Sequence, residues 1–287
     1  MRGVSIALAL VVCSGLGASA GELRNFDDAA LRAVQFVDEH EGWAVGDEGV
    51  VWHTIDGGQT WERQPTGQRA SLRSVHFLNP YTGWIAGREE LPHGQGSLGV
   101  LLFTRDGGLK WQRIGAHFFP GLQHVHFVDN KVGFVVGEGT EQFPTGVFRT
   151  IDSGRTWQAV PGPRCPTWLA ADFQDAQTGV LVGSWSRLFV LRNGVLAPAD
   201  VDVIGGRAVC AVQVVGNRAV AVGQGGLVYV SRDSAGARWG YADLKLPAAV
   251  RACWDFHALH CVGDHIWVVG RPGSAVLHSQ DQGRTWS

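Results

Sequence analysis

The sequence predicts an all-β protein folded as a β-propeller of four-stranded blades, and three observations support this prediction. The pattern Ser/Thr-x-Asp-x-Gly-x-Thr-Trp occurs in five copies that differ in detail. An apolar template, Leu-x-x-Val-x-Phe, opens six successive units at intervals of 41 to 50 residues, which is the length of one propeller blade. The 40 glycines and 12 tryptophans, with only 17% charged residues, suit short strands joined by tight turns and not disorder.

The Asp-containing pattern predicts a turn that closes a β-hairpin. Its Asp can accept hydrogen bonds from backbone N–H groups two or three residues further on. Its Gly supplies the positive φ that the turn needs, and its Trp opens the next strand and covers the turn. We therefore assign a structural role to Asp56, Asp106, Asp152, Asp233 and Asp281, with Trp61, Trp111, Trp157, Trp239 and Trp286.

The six units begin at residues 31, 72, 122, 168, 209 and 256. In unit one, the alternation and the turn signals predict strands over 33–37, 42–46, 50–54 and 61–64. Unit two carries an insertion at 88–99 and unit three a shorter one at 139–145, and both are predicted as loops where a binding surface would be built. Unit four has lost the Asp pattern, and Asn193-Gly194 predicts a plain hairpin turn there.

The N-terminus has the features of a signal peptide over residues 1–20. Arg2 is followed by an apolar run at 6–12 and by the small-residue site Ala18-Ser19-Ala20. We expect cleavage after Ala20, a mature domain over 21–287, and export to the periplasm or the extracellular space. No later stretch has the length and apolar character of a transmembrane helix.

Four cysteines would remain in the mature chain, and the sequence does not choose among their three possible pairings. One local disulfide and four free thiols both stay open for Cys165, Cys210, Cys253 and Cys261.

The last unit ends at Ser287, directly after Trp286, without most of a fourth strand. Residues 23–26 could supply that strand and close a six-bladed ring. Alternatively, the chain is a fragment of a longer, seven-bladed protein. The formal net charge of −2 gives no indication of nucleic-acid binding.

The motif Gly42-Trp43-Ala44-Val45-Gly46, followed by a strand and by Thr-x-Asp-Gly-Gly-x-Thr-Trp, resembles the photosystem II stability/assembly factor family, within the wider Asp-box (BNR-repeat) propellers. The resemblance extends over residues 31–287. It implies a seven-bladed, non-catalytic propeller that binds protein. In a phototrophic host the partner would be a photosystem II core precursor, which the protein would bind on the lumenal side of the thylakoid.

The same family is thought to present arginines beside the first strand of its blades. Arg32 and Arg73 match this feature and are our first candidates for binding residues. The equivalent positions in later units hold other residue types, so the basic patch would be confined to the first two blades. These later residues are Gln123, Leu169, Cys210 and His257.

A second set of polar residues follows four positions after each template start, on strands that border the central channel. Its histidines, His76, His126 and His260, are further binding candidates. We expect no metal site, because the separation between blades places most of these side chains beyond ligand distance. Polar packing between blades explains them equally well. The remaining members are Gln35, Asp172 and Gln213.

We expect no enzymatic activity and no cofactor. The sequence contains no nucleophile elbow, phosphate-binding loop or metalloprotease helix. The alternative is a secreted glycan-binding or glycan-cleaving propeller, which would need acids facing the channel. Glu89, Glu90, Glu138 and Glu141 lie in the two insertions and are the candidates for that role.

Overall fold

The computed structural model describes residues 29–94, 96–115, 118–201, 207–233, 236–273 and 275–287. The predicted signal peptide at 1–20 and residues 23–26 lie outside this part of the chain. The described residues form six β-sheets in sequence order, one for each predicted unit, which confirms the β-propeller. Among the described helices, none is long and apolar enough to cross a membrane.

The first three sheets are four-stranded antiparallel blades with consecutive strands as neighbours. Blade one contains β1 (Leu31–Phe36), β2 (Gly42–Gly46), β3 (Val51–Thr54) and β4 (Glu62–Gln64). Blade two contains β5 (Ser71–Phe77), β6 (Gly83–Glu90), β7 (Ser97–Thr104) and β8 (Gln112–Ile114). Blade three contains β9 (Leu122–Phe127), β10 (Gly133–Gly137), β11 (Val147–Thr150) and β12 (Gln158–Ala159).

Blade four keeps this plan, and the last two blades depart from it in strand number. Blade four contains β13 (Trp168–Phe173), β14 (Gly179–Gly183), β15 (Arg187–Arg192) and β16 (Val195–Pro198). Blade five adds β17 (Asp200–Val201), parallel to β21 (Arg238–Tyr241), to β18 (Val209–Val215), β19 (Arg218–Gly223) and β20 (Leu227–Ser231). A short helix, α1 (Ala248–Arg251), precedes β22 (Asp255–Val262), β23 (His265–Arg271) and β24 (Ala275–Ser279) of blade six.

The first strand of each blade packs against the first strand of the next, from β1 through β5, β9, β13 and β18 to β22. These strands therefore border the centre of the ring. The second strands of the first four blades pack between neighbouring blades, and β2, β10 and β14 are buried along their whole length.

The two glycines of the Gly-Trp-x-Val-Gly motif are explained by close approach. A Cβ added to Gly42 would lie 2.7 Å from the ring of Phe36, and one added to Gly46 would lie 2.3 Å from the carbonyl oxygen of Ala30. No side chain fits at either end of this strand, so the motif marks the places where the second strand touches the first.

The strand predictions for unit one agree with β1–β4 within two residues at each end. Residues 139–145 form a loop, as predicted. The prediction of a loop over 88–99 is wrong, because β6 and β7 continue through most of it as a paired hairpin, with Glu90 opposite Ser97. The extra residues therefore lengthen two strands, since their backbone groups can pair with each other.

Blade six has three described strands, and its outer edge matches the predicted shortage. Ser287 exchanges two backbone hydrogen bonds with His278 of β24, both 2.9 Å long. The four cysteines of the described chain are free thiols, of which Cys165 is buried and Cys253 exposed.

Candidate protein-binding rim

A β-bulge occurs at the same point of all six innermost strands. The register between the first and second strand skips one residue in each blade. A bulged residue leaves the regular alternation of the strand, and bulges commonly redirect a side chain next to a functional site. The skipped residues, which we call the bulge ring, are Arg32, Arg73, Gln123, Leu169, Cys210 and His257.

Arg32 and Asp47 form the ion pair of the bulge ring in blade one. Nη2 of Arg32 lies 2.5 Å from Oδ2 of Asp47, and the Ser71 hydroxyl of blade two donates to the other carboxylate oxygen at 2.6 Å. Both hydrogen bonds lower the pKa of Asp47, and the bond from Arg32 has the larger effect. Asp47 therefore stays charged and links blades one and two. We call the bulge ring, together with the residues that contact it, the rim.

Arg73 differs from Arg32 because no carboxylate of the described residues lies within ion-pair distance of it. Its Nε donates to the Ser71 hydroxyl at 3.1 Å, and the side chain is half-buried. Burial lowers the pKa of Arg73, and the positive charges of Arg88 and Arg32 lower it further. Asp47 and Glu90 act on Arg73 in the opposite sense but from beyond ion-pair distance, so among the described residues this partly desolvated guanidinium is left able to bind an anionic group.

Arg88 is a rim residue that sequence reasoning missed as a binding candidate. It follows the second glycine of the motif in blade two, as Asp47 does in blade one and Glu138 in blade three. Arg88 contacts Glu138 and Glu90, each at 2.8 Å, and Ser97 donates to Glu138 at 2.9 Å. The position after Val-Gly or Ala-Gly was the available signal, because in all three blades that glycine pairs with the residue just before the bulge.

The four acids considered for glycan cleavage do not converge as a catalytic pair. Glu89 is bound by Arg113 at 2.9 Å, and Glu90 and Glu138 both pair with Arg88. Glu141 is exposed in the loop of blade three. Three of the four carboxylates are thus engaged by arginines that hold the hairpin and the rim together.

The structure brings two of the three candidate histidines together between blades. His76 and His126 have ring centroids 5.0 Å apart, and Nδ1 of His126 lies 3.3 Å from Oδ1 of Asp172. Burial lowers the pKa of His126 to about 3 and raises the pKa of Asp172 to about 6. The other oxygen of Asp172 accepts from the Val214 amide at 2.7 Å, so this chain of contacts joins blades two to five.

His260 lies apart from this group, on the innermost strand of blade six. Its Nε2 is buried with no hydrogen-bond partner in the described chain, and burial lowers its pKa. The described residues contain no group of three or more His, Cys, Asp and Glu side chains placed to hold a metal ion. A binding role for the three histidines stays a prediction.

The Asp-box turns lie at the outer end of the blades. In blade one, Oδ1 of Asp56 accepts from the Thr60 amide at 2.9 Å and from the Thr54 hydroxyl at 2.8 Å. Trp61 closes the turn by donating from Nε1 to the Gly58 carbonyl at 3.1 Å. The hydroxyl of Thr60 contributes most to lowering the pKa of Asp56, which is about 2.

These features define an Asp-box β-propeller with a charged rim on its first three blades. The first three blades are similar in sequence to the photosystem II assembly factors. The family model described as "Photosynthesis system II assembly factor YCF48" matches residues 24–161, which include blades one to three and the rim. This match confirms the resemblance predicted from the Gly-Trp-x-Val-Gly motif and the Asp boxes. No curated protein matches the sequence significantly.

Solved structures extend the comparison to most of the chain. One described as "YCF48 bound to D1 peptide" is 26% identical, with a TM-score of 0.68 over 90% of this chain and 80% of that one. YCF48 from Cyanidioschyzon merolae is 17% identical, with a TM-score of 0.64 over 91% and 84%. The computationally designed Ika8 protein is 15% identical, with a TM-score of 0.61 over 89% and 72%. The last two share the fold.

Proposed function

We propose that this chain is an exported, non-catalytic assembly factor that holds a segment of a photosystem II core precursor in a phototrophic host. The observation that carries the proposal is Arg73, half-buried on the rim with no carboxylate partner among the described residues. The family match over the same three blades supports it, as does the similar structure described with a D1 peptide.

The rim would recognise a carboxylate of the partner at Arg73. A guanidinium presents parallel N–H donors to a carboxylate, and partial removal from water strengthens such a bond. Arg32 and Arg88 already contact Asp47 and Glu138, so their charges are balanced and they would help to position the partner. Because only one of the three arginines lacks a carboxylate within ion-pair distance among the described residues, the rim favours a partner with one well-placed acidic group over a polyanion.

The test measures by calorimetry the affinity of a labelled synthetic D1 peptide for the wild-type chain and for Arg73→Ala. We expect affinity to fall by about tenfold or more, the usual effect of removing one partner from a partly buried charge pair. Arg155→Ala is the matched control, because Arg155 is exposed in an Asp-box turn at the outer end of blade three. Equal affinity of Arg73→Ala and wild type would reject the rim as the binding site.

Export is part of the proposal and rests on the sequence of residues 1–20. We expect the mature protein, isolated from its host, to begin at Gly21, in the periplasm or, in a phototroph with thylakoids, in the lumen. Mass spectrometry of the intact protein measures this directly. Recovery of a chain that retains Met1, or that carries lipid on Cys13, would contradict it.

A further inference from the structure

The rim changes character at blade four, where it exposes an indole. Trp185 is 76% exposed, and its backbone lies in the left-handed region with φ 56°. Bulky residues rarely adopt this conformation, and such residues occur preferentially at functional sites. The corresponding turn of blade one uses Glu48 with φ 57°, so the turn itself demands the conformation. The sequence of blade four therefore places a large aromatic ring where a small or polar residue would suffice.

Leu169 adds a second exposed apolar side chain at the same corner. It occupies the bulge ring where blades one and two hold Arg32 and Arg73, and it is 54% exposed beside the buried Trp168. The Ser184 amide donates to the Thr167 carbonyl at 2.9 Å, which fastens the Trp185 turn to the start of β13. In blade one the residues equivalent to Leu169 and Ser184, which are Arg32 and Asp47, are in direct contact. Leu169 and the Trp185 turn thus share one corner of the rim.

Arg187 gives this corner a positive charge. Its guanidinium carbon lies 5.6 Å from the centroid of the Trp185 ring, and the residue is exposed. An aromatic ring beside an arginine provides an apolar surface and a carboxylate-binding group within one side chain's reach. Such a corner matches a polypeptide that carries an apolar residue next to an acidic one.

We propose that Trp185, Leu169 and Arg187 form a second contact site for an extended polypeptide that binds across the rim, with its apolar side chain on the indole. This inference rests on the proposed function, because it assigns the two ends of the same partner: a carboxylate at Arg73 and an apolar residue at blade four. The bulge ring contains both Arg73 and Leu169, so the two contact sites lie on one side of the propeller. Positive charge at each end favours an acidic segment.

The test uses the same labelled D1 peptide with Trp185→Ala, Trp185→Phe and Leu169→Ala. We expect Trp185→Ala to weaken binding by about tenfold, a typical loss for an interface tryptophan, and Trp185→Phe to retain most of the affinity. Leu109→Ala is the control for Leu169→Ala, because Leu109 is 75% exposed in the Asp-box turn of blade two. Circular dichroism confirms that each variant is folded.

A double-mutant cycle identifies the apolar group of the peptide. The apolar residues of the peptide are replaced one at a time by Ser. At the one position that contacts the indole, the replacement should weaken binding to the wild type and leave binding to Trp185→Ala unchanged. If Arg73→Ala weakens binding and the blade-four variants do not, this inference fails and the proposed function stands. If the wild type does not bind the peptide, both fail. Loss of binding to anionic lipid vesicles in Trp185→Ala, with peptide affinity unchanged, would assign the corner to a membrane instead.

Discussion

The indole of Trp43 in blade one stacks on the phenyl ring of Phe77 in blade two, with centroids 3.6 Å apart and planes inclined by 8°. The same contact joins blades two and three through Trp84 and Phe127 at 3.6 Å. Trp267 occupies the equivalent position in blade six, yet it is 38% exposed, whereas Trp43 is fully buried. One sequence position therefore has two environments, according to whether another blade covers it.

This difference predicts unequal costs for the same substitution. Trp43→Ala should lower the free energy of unfolding by about 3 to 5 kcal/mol, because it removes a buried ring and leaves a cavity between two blades. Trp267→Ala should cost about 1 kcal/mol or less, since its ring is already partly in water. Urea unfolding followed by circular dichroism compares the two midpoints. Equal shifts would show that a further blade or chain covers Trp267 in solution.

The partly buried histidines between the blades predict that acid destabilises the ring. Burial lowers the pKa of His76, of His126 and of His124, which lies two residues before His126 on β9, below 6.5. The unfolded chain therefore binds more protons than the folded one below that pH. Their contribution to stability is therefore present above pH ~6.5 and is lost as the pH falls toward the folded pKa values. Asp172, with a pKa of about 6, acts in the opposite direction between pH ~4 and 6 and offsets part of the loss.

His126→Gln isolates one of these groups. Gln35 occupies the equivalent position in blade one and exchanges hydrogen bonds with both the amide and the carbonyl of Phe77. A glutamine at 126 can donate to the Phe173 carbonyl in the same way, while the Phe173 amide keeps its bond to Asp172, so we expect little loss of melting temperature at neutral pH. The drop in melting temperature on going to acidic pH should be smaller than in the wild type. An unchanged drop would mean that His126 does not titrate with unfolding.

The Asp boxes predict a second loss of stability at a more acidic pH. Hydrogen bonds from threonine hydroxyls and backbone amides hold the pKa values of Asp56, Asp152 and Asp281 at about 2. The stabilisation is present above the unfolded value near 3.8 and is lost as the pH falls toward 2. Hydrogen exchange should show faster exchange of the Thr60 amide in Asp56→Ala, with the Thr156 amide of blade three as internal control. Unchanged protection of Thr60 would contradict the role of Asp56 in the turn.

Removing the charge of Glu138 should increase the affinity of the rim for the peptide. Glu138→Gln removes the charge that Arg88 contacts at 2.8 Å and so raises the positive potential near Arg73. We expect the D1 peptide to bind about threefold more tightly, consistent with the energy of a partly exposed ion pair. Glu89→Gln serves as the comparison, because Glu89 pairs with Arg113. Weaker binding by Glu138→Gln would argue that Glu138 itself contacts the partner.

The free thiols predict an order of alkylation. Cys253 is exposed, whereas burial raises the pKa of the Cys261 thiol to about 12. Iodoacetamide added to the native protein should modify Cys253 first, and Cys261 only after denaturation, because the thiolate is the reactive form. Peptide mapping by mass spectrometry measures the order. A disulfide between any two of the four would contradict the free state.

The sequence by itself determined the number of units, the turns and most strand limits of the first blade. These features depend on residues close together in the chain: the Asp-x-Gly spacing, the alternation of apolar residues, and the glycines at both ends of β2. The resemblance to the assembly-factor family indicated Arg32 and Arg73 as binding candidates, and their role stays a prediction. Local backbone geometry restricts such segments to few conformations, so local patterns are sufficient evidence.

Only the tertiary structure decided which of these residues meet. The bulge that turns Arg73 toward the rim, the contact of Arg88 with Glu138, and the pairing of residues 88–99 into a hairpin leave no periodic signal in the sequence. Arg88 and Glu138 are 50 positions apart, and Trp43 and Phe77 belong to different blades. Contacts between blades depend on how whole sheets pack, which is why identical motif positions became buried at Trp43 and exposed at Trp267.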